Sequence, residues 1–290
     1  MDSTVDRAAA ADFVWRNARL LERHLFAYLF ADGAREPVLA ALRAYQNADG
    51  GFGNALEPDK RCPAGQPVDV EMAFNVLDWV DGFGDPMVAR AGEFLSAIST
   101  KEGGVPFVLP SVNDYPHAPW WETAPDPPAA LNPTASIAGL LLKHRVRHPW
   151  LDGAVAFCRE AIEATETRQF HDLMPVLTFL AHAPDRAWAA AQQARVLARI
   201  AEPGTVELDP HAGGYTQKPL DWAPTPESAC RPLFSDAVIA GHLDALAARQ
   251  QADGGWPINW DPISPGVELE WRGYVTVQAL RTLRGYGVIA

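Results

Sequence analysis

The sequence predicts an all-α protein built in two concentric helix layers, and three observations predict it. Helical periodicity recurs along all 290 residues, with almost no sustained apolar–polar alternation of the strand type. Apolar helices alternate with amphipathic ones. An inner layer that touches protein on most sides, and an outer layer with one face to water, require that alternation. Finally, Gln46-Asn47-Ala48-Asp49-Gly50-Gly51-Phe52 recurs as Gln250-Gln251-Ala252-Asp253-Gly254-Gly255-Trp256, each copy following an Ala/Leu-rich helical run.

In chain order, residues 8–31 read as one long amphipathic helix carrying Phe13, Leu20, Leu21, Leu25, Tyr28 and Leu29. Segment 36–48 opens with Pro37 at a helix start and closes at the first Gly-Gly pair. Segment 68–82 carries Val70, Ala73, Phe74, Val76, Leu77 and Val80, leaving little polar surface, and is expected to be buried. Segment 86–98 is amphipathic and 134–145, with Ile137, Leu140, Leu141 and Leu142, is apolar. Segment 149–163 sets Leu151, Val155, Cys158 and Ile162 on one stripe and Asp152, Arg159, Glu160 and Glu163 opposite. Segment 172–183 is apolar, 186–201 and 235–251 are amphipathic, and 270–285 is more apolar. Stretch 202–233 lacks a clear inner helix, so the last pair is expected to be irregular. Five to six helical hairpins result. The chain reads as a single domain, 1–290, with the Pro-rich stretches 106–133 and 203–233 as insertions, and loops of that size usually carry function.

Composition narrows the function classes. At 48% hydrophobic and 21% charged the chain matches an ordinary globular protein with ample core. A net charge of −12 argues against a nucleic-acid partner, which would want a basic face. Cys62, Cys158 and Cys230 show neither metal nor disulfide spacing, so a reducing compartment and a cytoplasmic location are expected. Met1-Asp2-Ser3 opens no basic region followed by an apolar core, so no signal peptide is expected. No stretch approaches the roughly 20 apolar residues of a membrane span. Ten Trp residues favour an aromatic-lined cavity, although Trp also serves as packing.

In the repeated motif, paired glycines after a helix allow left-handed backbone angles. Asp49 and Asp253 are placed to cap local amides, and Gln46 and Gln250 to bond across to the next repeat. The Gln-x-x-Asp-Gly-Gly-aromatic repeat resembles that of the isoprenoid-handling α/α toroids: squalene-hopene cyclases, class II terpene cyclases and protein prenyltransferase β-subunits. The resemblance implies an α/α toroid similar to a cyclase β-domain, with Phe52 and Trp256 covering the turn or stacking on the neighbouring Gln. It also implies specific chemistry, and the residues depart from it. Class II cyclases protonate substrate with the middle acid of Asp-x-Asp-Asp; the matching stretch, Pro67-Val68-Asp69-Val70-Glu71-Met72-Ala73, has Val70 there. Asp69 and Glu71 remain, with helix N-terminal capping as their plain alternative role. The Asp-x-Cys pair of the zinc-dependent prenyltransferases is absent at all three cysteines, as is Asp-Asp-x-x-Asp, so neither metal nor cofactor is expected.

Four long loops share a layout of Gly-Gly, an aromatic or Val, then acids mixed with aromatics, and are expected at one functional rim. They give Gly50-Gly51 then Glu57 and Asp59; Gly103-Gly104 then Asp114, His117, Trp120 and Trp121; Gly213-Gly214 then Asp221 and Trp222; Gly254-Gly255 then Trp260, Asp261 and Trp271. Candidate acid–base residues are Glu57, Asp59, Glu71, Asp114 and His117. Candidate substrate-binding residues are Phe52, Trp120, Trp121, His171, Tyr215, Trp222, Trp256, Trp260 and Trp271. Lys60-Arg61, Arg231 and Arg272 are read as paired with the abundant acids rather than free to grip an anion. The leading expectation is an isoprenoid-processing enzyme, a non-standard cyclase or isomerase that starts by protonation and stabilises cations on Trp faces. The alternatives are a carbohydrate-active hydrolase or lyase, in which Trp stacks sugars and two carboxylates act as acid and base, or a non-catalytic binding module.

Overall fold

A computed structural model describes residues 5–290, and all the regular elements among them are helical. The chain runs α1 (Arg7–Asn17), α2 (Leu20–Phe30), α3 (Arg35–Arg43), α4 (Pro67–Trp79), α5 (Met87–Ile98), α6 (Leu131–Lys143), α7 (Trp150–Ala164), α8 (Phe170–His182), α9 (Arg186–Ile200), α10 (Pro219–Trp222), α11 (Asp236–Ala248) and α12 (Pro265–Gly285). Extended pairing is confined to isolated bridges, among them Lys60 with His117. This is the all-α class of α/α hairpins that the periodicity predicts. Packing divides the described residues into a continuous unit, Leu39–Val196, and a discontinuous one made of residues up to Val38 together with Leu197–Ala290.

In the continuous unit α4, α6 and α8 lie side by side, while α5 and α7 pack on α4 and α6 and on one another. The two layers follow from the sequence. The first three helices bury nearly every apolar residue they carry, including Val70, Phe74 and Leu77 of α4, Ile137 and Leu141 of α6, and Val176 and Leu180 of α8. Gly139 lets α6 approach α8 closely, since a Cβ there would lie 2.7 Å from the Thr178 carbonyl.

The Gly-Gly turn is a docking device, and three copies share one geometry. Gly50, Gly103 and Gly254 have φ of 91°, 91° and 92°, in the left-handed region that favours glycine. A Cβ on them would meet backbone oxygens of Arg90, Gly153 and Ala9 at 2.1, 2.6 and 2.0 Å. The second glycine of each pair lies close against a ring: a Cβ on Gly51, Gly104 or Gly255 would come within 2.7 Å of a ring carbon of Phe94, Phe157 or Phe13 respectively. Each turn therefore seats the following outer helix: α5, α7 and, at the end of the chain, α1. Gln46 Nε2 donates to the Gly50 and Met87 carbonyls, both at 2.9 Å. Gln250 Nε2 donates to those of Gly254 and Asp6 at 2.9 and 2.8 Å. These are the bonds to the next repeat that the spacing predicts. Asp49 and Asp253 accept the Gly51 and Gly255 amides at 2.9 and 3.0 Å. Gly213-Gly214 differs: a Cβ on either glycine would meet nothing within 4 Å, so this pair docks no helix.

In the discontinuous unit α1 and α2 pack on one another and on α12, and α11 packs on α12 and α10. The expected single helix over 8–31 is in fact two. Ala18 and Arg19 are extended, with ψ of 160° and 162°, although neither is glycine or proline. The break is held by Arg23 Nε donating to the Ala18 carbonyl at 2.8 Å and by the buried Arg19–Glu22 pair. Gly273 of α12 admits Ala18 at this point, since a Cβ there would come within 2.5 Å of the Ala18 methyl. Stretch 202–233 contributes only the four-residue α10, as its sequence implies.

Candidate functional site

The first Gly-Gly turn feeds loop 53–66, which returns to the start of α4 when the Gln66 amide donates to the Phe52 carbonyl at 2.8 Å. Pro67 then opens the helix and places Asp69 in its first turn. Asp69, Lys60 and Asp59 are 0%, 0% and 1% exposed, and Glu57 is 5%. So dense a set of buried charges is costly unless its members are paired, and Asp69 and Lys60 form such a pair. Asp69 Oδ1 accepts the Glu57 amide at 2.8 Å, and its Oδ2 forms a short ion pair with Lys60 Nζ. The Lys60 ammonium lies 6.0 Å from the centre of the Trp121 ring, which stacks on Phe107 at 5.0 Å.

Loop 115–121 is laid along residues 59–61. The Arg61 amide donates to the Pro116 carbonyl and the Ala118 amide to that of Asp59, both at 2.8 Å. Gln66 anchors the same loop further back, accepting the Leu109 amide at 2.8 Å and donating to Ser111 Oγ at 2.9 Å. His117 Nδ1–H donates to the Tyr115 carbonyl at 2.6 Å.

The carboxyl of Glu57 is pushed up to about 8, first by burial and then by the charges of Asp69 and Asp59, with Lys60 opposing. Glu57 therefore carries a proton at neutral pH, and its Oε2 has no hydrogen-bond partner among the described residues. Half-buried Glu71 is pushed up to about 7 by burial, opposed by its hydrogen bond with Ser136 on α6.

The structure thus brings Glu57 and Asp59 together with His117 and Trp121, and adds Lys60, Asp69 and Gln66, which sequence reasoning did not place in a site. Asp114 stands exposed at the end of a 3-10 turn, and Trp120, 49% exposed, presents a ring to water. Phe52, Trp222 and Trp256 are core residues, and Trp256 Nε1 donates to the Leu246 carbonyl at 2.7 Å. His171 is exposed, edge-on to Phe170 at 5.2 Å. In the discontinuous unit Tyr215, Trp260, Trp271 and Tyr274 form an edge-to-face row with successive centroids 6.1, 5.2 and 5.7 Å apart. Three of the cations noted in the sequence are in ion pairs: Lys60 with Asp69, Arg231 with Asp236 and Arg272 with Asp253. Among the described residues no cluster of three or more His, Cys, Asp or Glu is arranged to hold a metal ion. Among the described residues no helix is long and apolar enough to cross a membrane.

No protein-family model matches the sequence, and no curated protein matches it. Among solved structures, a glycosidase in complex with glucose and a phenylalanine-to-tyrosine glycosidase variant each align over 99% of this chain and 100% of their own, with TM-score 0.43 and 15% identity. A glutamate-to-alanine glycosidase variant aligns with TM-score 0.41 and 14% identity.

Proposed function

We propose that the protein is a carbohydrate-active hydrolase or lyase that uses Glu57 as general acid and Asp59 as its partner carboxylate. One observation carries the reading: two buried carboxyl groups two positions apart on one loop, of which Glu57 is pushed up to about 8 by burial and by the charges of Asp69 and Asp59. Pairs of carboxyl groups with divided protonation are what glycosidic-bond cleavage requires. In hydrolysis the leaving sugar oxygen takes the Glu57 proton as its bond to the anomeric carbon breaks, a step that requires the loop to open, because Glu57 Oε2 and Asp59 Oδ1 are closed to solvent. Water attacks that carbon and gives a proton to Asp59.

The aromatic side chains favour sugars over isoprenoid cations. Phe52, Trp222 and Trp256 are committed to packing, whereas Trp120 and Tyr115, on the loop paired with residues 59–61, meet water at 49% and 39% exposure. A wet indole face suits the apolar side of a pyranose. A carbocation would need rings sealed from water.

The test is reducing-end or unsaturated-product release from a panel of α- and β-linked oligosaccharides and uronates. Cleavage of one member is expected, with Glu57→Gln and Asp59→Asn each lowering turnover about a hundredfold or more. A panel left intact by the wild-type protein would overturn the reading, and binding without turnover would make the protein a binding module.

Glu71 supports a second reading, a protonation-initiated isoprenoid cyclase or isomerase, because its carboxyl too is pushed up, to about 7, and it lies in the second turn of an inner helix. Cyclic products from linear C15–C30 polyprenyl substrates, lost in Glu71→Gln, would establish that reading instead.

A further inference from the structure

We propose that Asp69 and Lys60 are positioning residues for Glu57: Asp69 fixes the Glu57 backbone, and Lys60, through its charge, sets how firmly the Glu57 carboxyl holds its proton. The inference rests on the reading of Glu57 as a general acid.

Asp69 occupies the first turn of α4, where an acid ordinarily serves its own helix. Here both oxygens turn outward to the preceding loop, one to the Glu57 amide at 2.8 Å and the other to Lys60 Nζ. The N-cap residue Gln66 likewise makes no side-chain cap and instead ties down Leu109 and Ser111. The start of α4 thus acts as a clamp on two loops, and Glu57 lies in one of them.

Lys60 is fully buried, and a buried ammonium costs several kcal/mol unless it is well paired. Its position is fixed from three sides: by Asp69, by the Trp121 ring at 6.0 Å, and by backbone pairing with His117. Asp69 touches both the Glu57 amide and Lys60, and the charged groups whose fields act on the Glu57 carboxyl are Lys60, Asp69 and Asp59. Lys60 alone among them favours ionisation, so the two members of one ion pair pull the Glu57 proton in opposite directions.

The test is titration of the Glu57 carboxyl by carbon NMR in glutamate-labelled protein, with the resonance assigned by its absence in Glu57→Gln. Lys60→Met is expected to raise the midpoint and Asp69→Asn to lower it, each by about one pH unit. Shifts of the same sign, or none, would overturn the inference. Asn retains the oxygen that accepts the Glu57 amide, so that amide should stay protected from hydrogen exchange in Asp69→Asn and lose protection in Asp69→Ala.

Where a single variant leaves an unpaired buried charge and fails to fold, two measurements remain. The wild-type Glu57 amide should exchange at least about a hundredfold slower than a free peptide, and an unprotected amide removes the role of Asp69. The Lys60→Met/Asp69→Asn double variant leaves no unpaired charge, and its Glu57 midpoint should rise; a fall removes the role of Lys60. Turnover separates this inference from the reading beneath it. An inactive Glu57→Gln with an unresponsive midpoint leaves the reading and sinks the inference, and a responsive midpoint with a fully active Glu57→Gln does the reverse.

Discussion

Glu57 couples the stability of the protein to pH in the direction opposite to a carboxylate held by an ion pair. Its folded-state value of about 8 lies above the ordinary 4.5, so between these limits the folded chain holds a proton that the unfolded chain releases. The stability contributed is fully present below about pH 4.5 and is lost as pH rises through about 8. The slope for one such group is about 1.4 kcal/mol per pH unit. Glu71, at about 7, acts with the same sign over the lower part of that window. The denaturant midpoint of the wild type should therefore fall relative to that of Glu57→Gln, which holds the side chain neutral, between about pH 5 and pH 8. His171, His182 and His242, held below the usual imidazole value by burial, act with the opposite sign, so the difference between the two curves is the readout, and parallel curves would mean Glu57 is ionised in the folded state. At this scale the sequence is half legible. Glu57 and Asp59 stand out as acids behind Gly-Gly-Phe, but Lys60 does not, because lysine is ordinarily solvated. Its burial depends on a carboxylate from α4 and a ring from loop 115–121, contacts that no local pattern encodes.

Among the elements, the Gly-Gly turn separates two physical causes that its sequence runs together. Gly254 needs both a left-handed φ and empty space beside the Ala9 carbonyl. Gly255 needs only space beneath the Phe13 ring, and Gly214 only the φ of 79°. Gly254→Ala is expected to cost about 3 kcal/mol or more, and Gly214→Ala about 1 to 2. Gly255→Ala should fall between them and be partly relieved by Phe13→Leu, which a double-mutant cycle on unfolding free energies would measure. Equal costs at Gly254 and Gly214 would show that backbone angle, not docking, is what these glycines supply. Helix type and order were readable because the 3.6-residue period is strong in nearly every segment. The break at Ala18–Arg19 was not, because it carries no glycine or proline. It follows instead from the approach of Gly273 of α12 and from the Arg19–Glu22 pair. Gly213-Gly214 shares the dipeptide and the loop layout of the docking turns but seats no helix, a difference the dipeptide does not encode.

At the scale of the whole molecule, the repeat near the C-terminus had no following hairpin to seat, and the structure supplies α1 in that role. Gln250 bonds both the amide and the carbonyl of Asp6 at 2.8 Å, and Arg284 reaches the Leu29 carbonyl while lying 4.7 Å from the Phe30 ring. These contacts join residues 244 and 255 positions apart, whereas neighbouring inner helices of the continuous unit are separated by one hairpin. Loop closure must be met before such distant contacts can form, and its entropy grows with the length closed. Refolding should therefore protect the amides of α4, α6 and α8 before those of α1, α2 and α12, in resolved kinetic phases. Pulse-labelled hydrogen exchange during refolding reads this order directly. Removing the Gln250 side chain by Gln250→Ala should slow only the later phase, if the Asp6 contacts form as the chain ends meet, and speed unfolding if they form afterwards. Protection of α1 and α12 ahead of the central helices would show that the chain ends find each other first, and that the Gly-Gly turn near the C-terminus nucleates the fold rather than completing it.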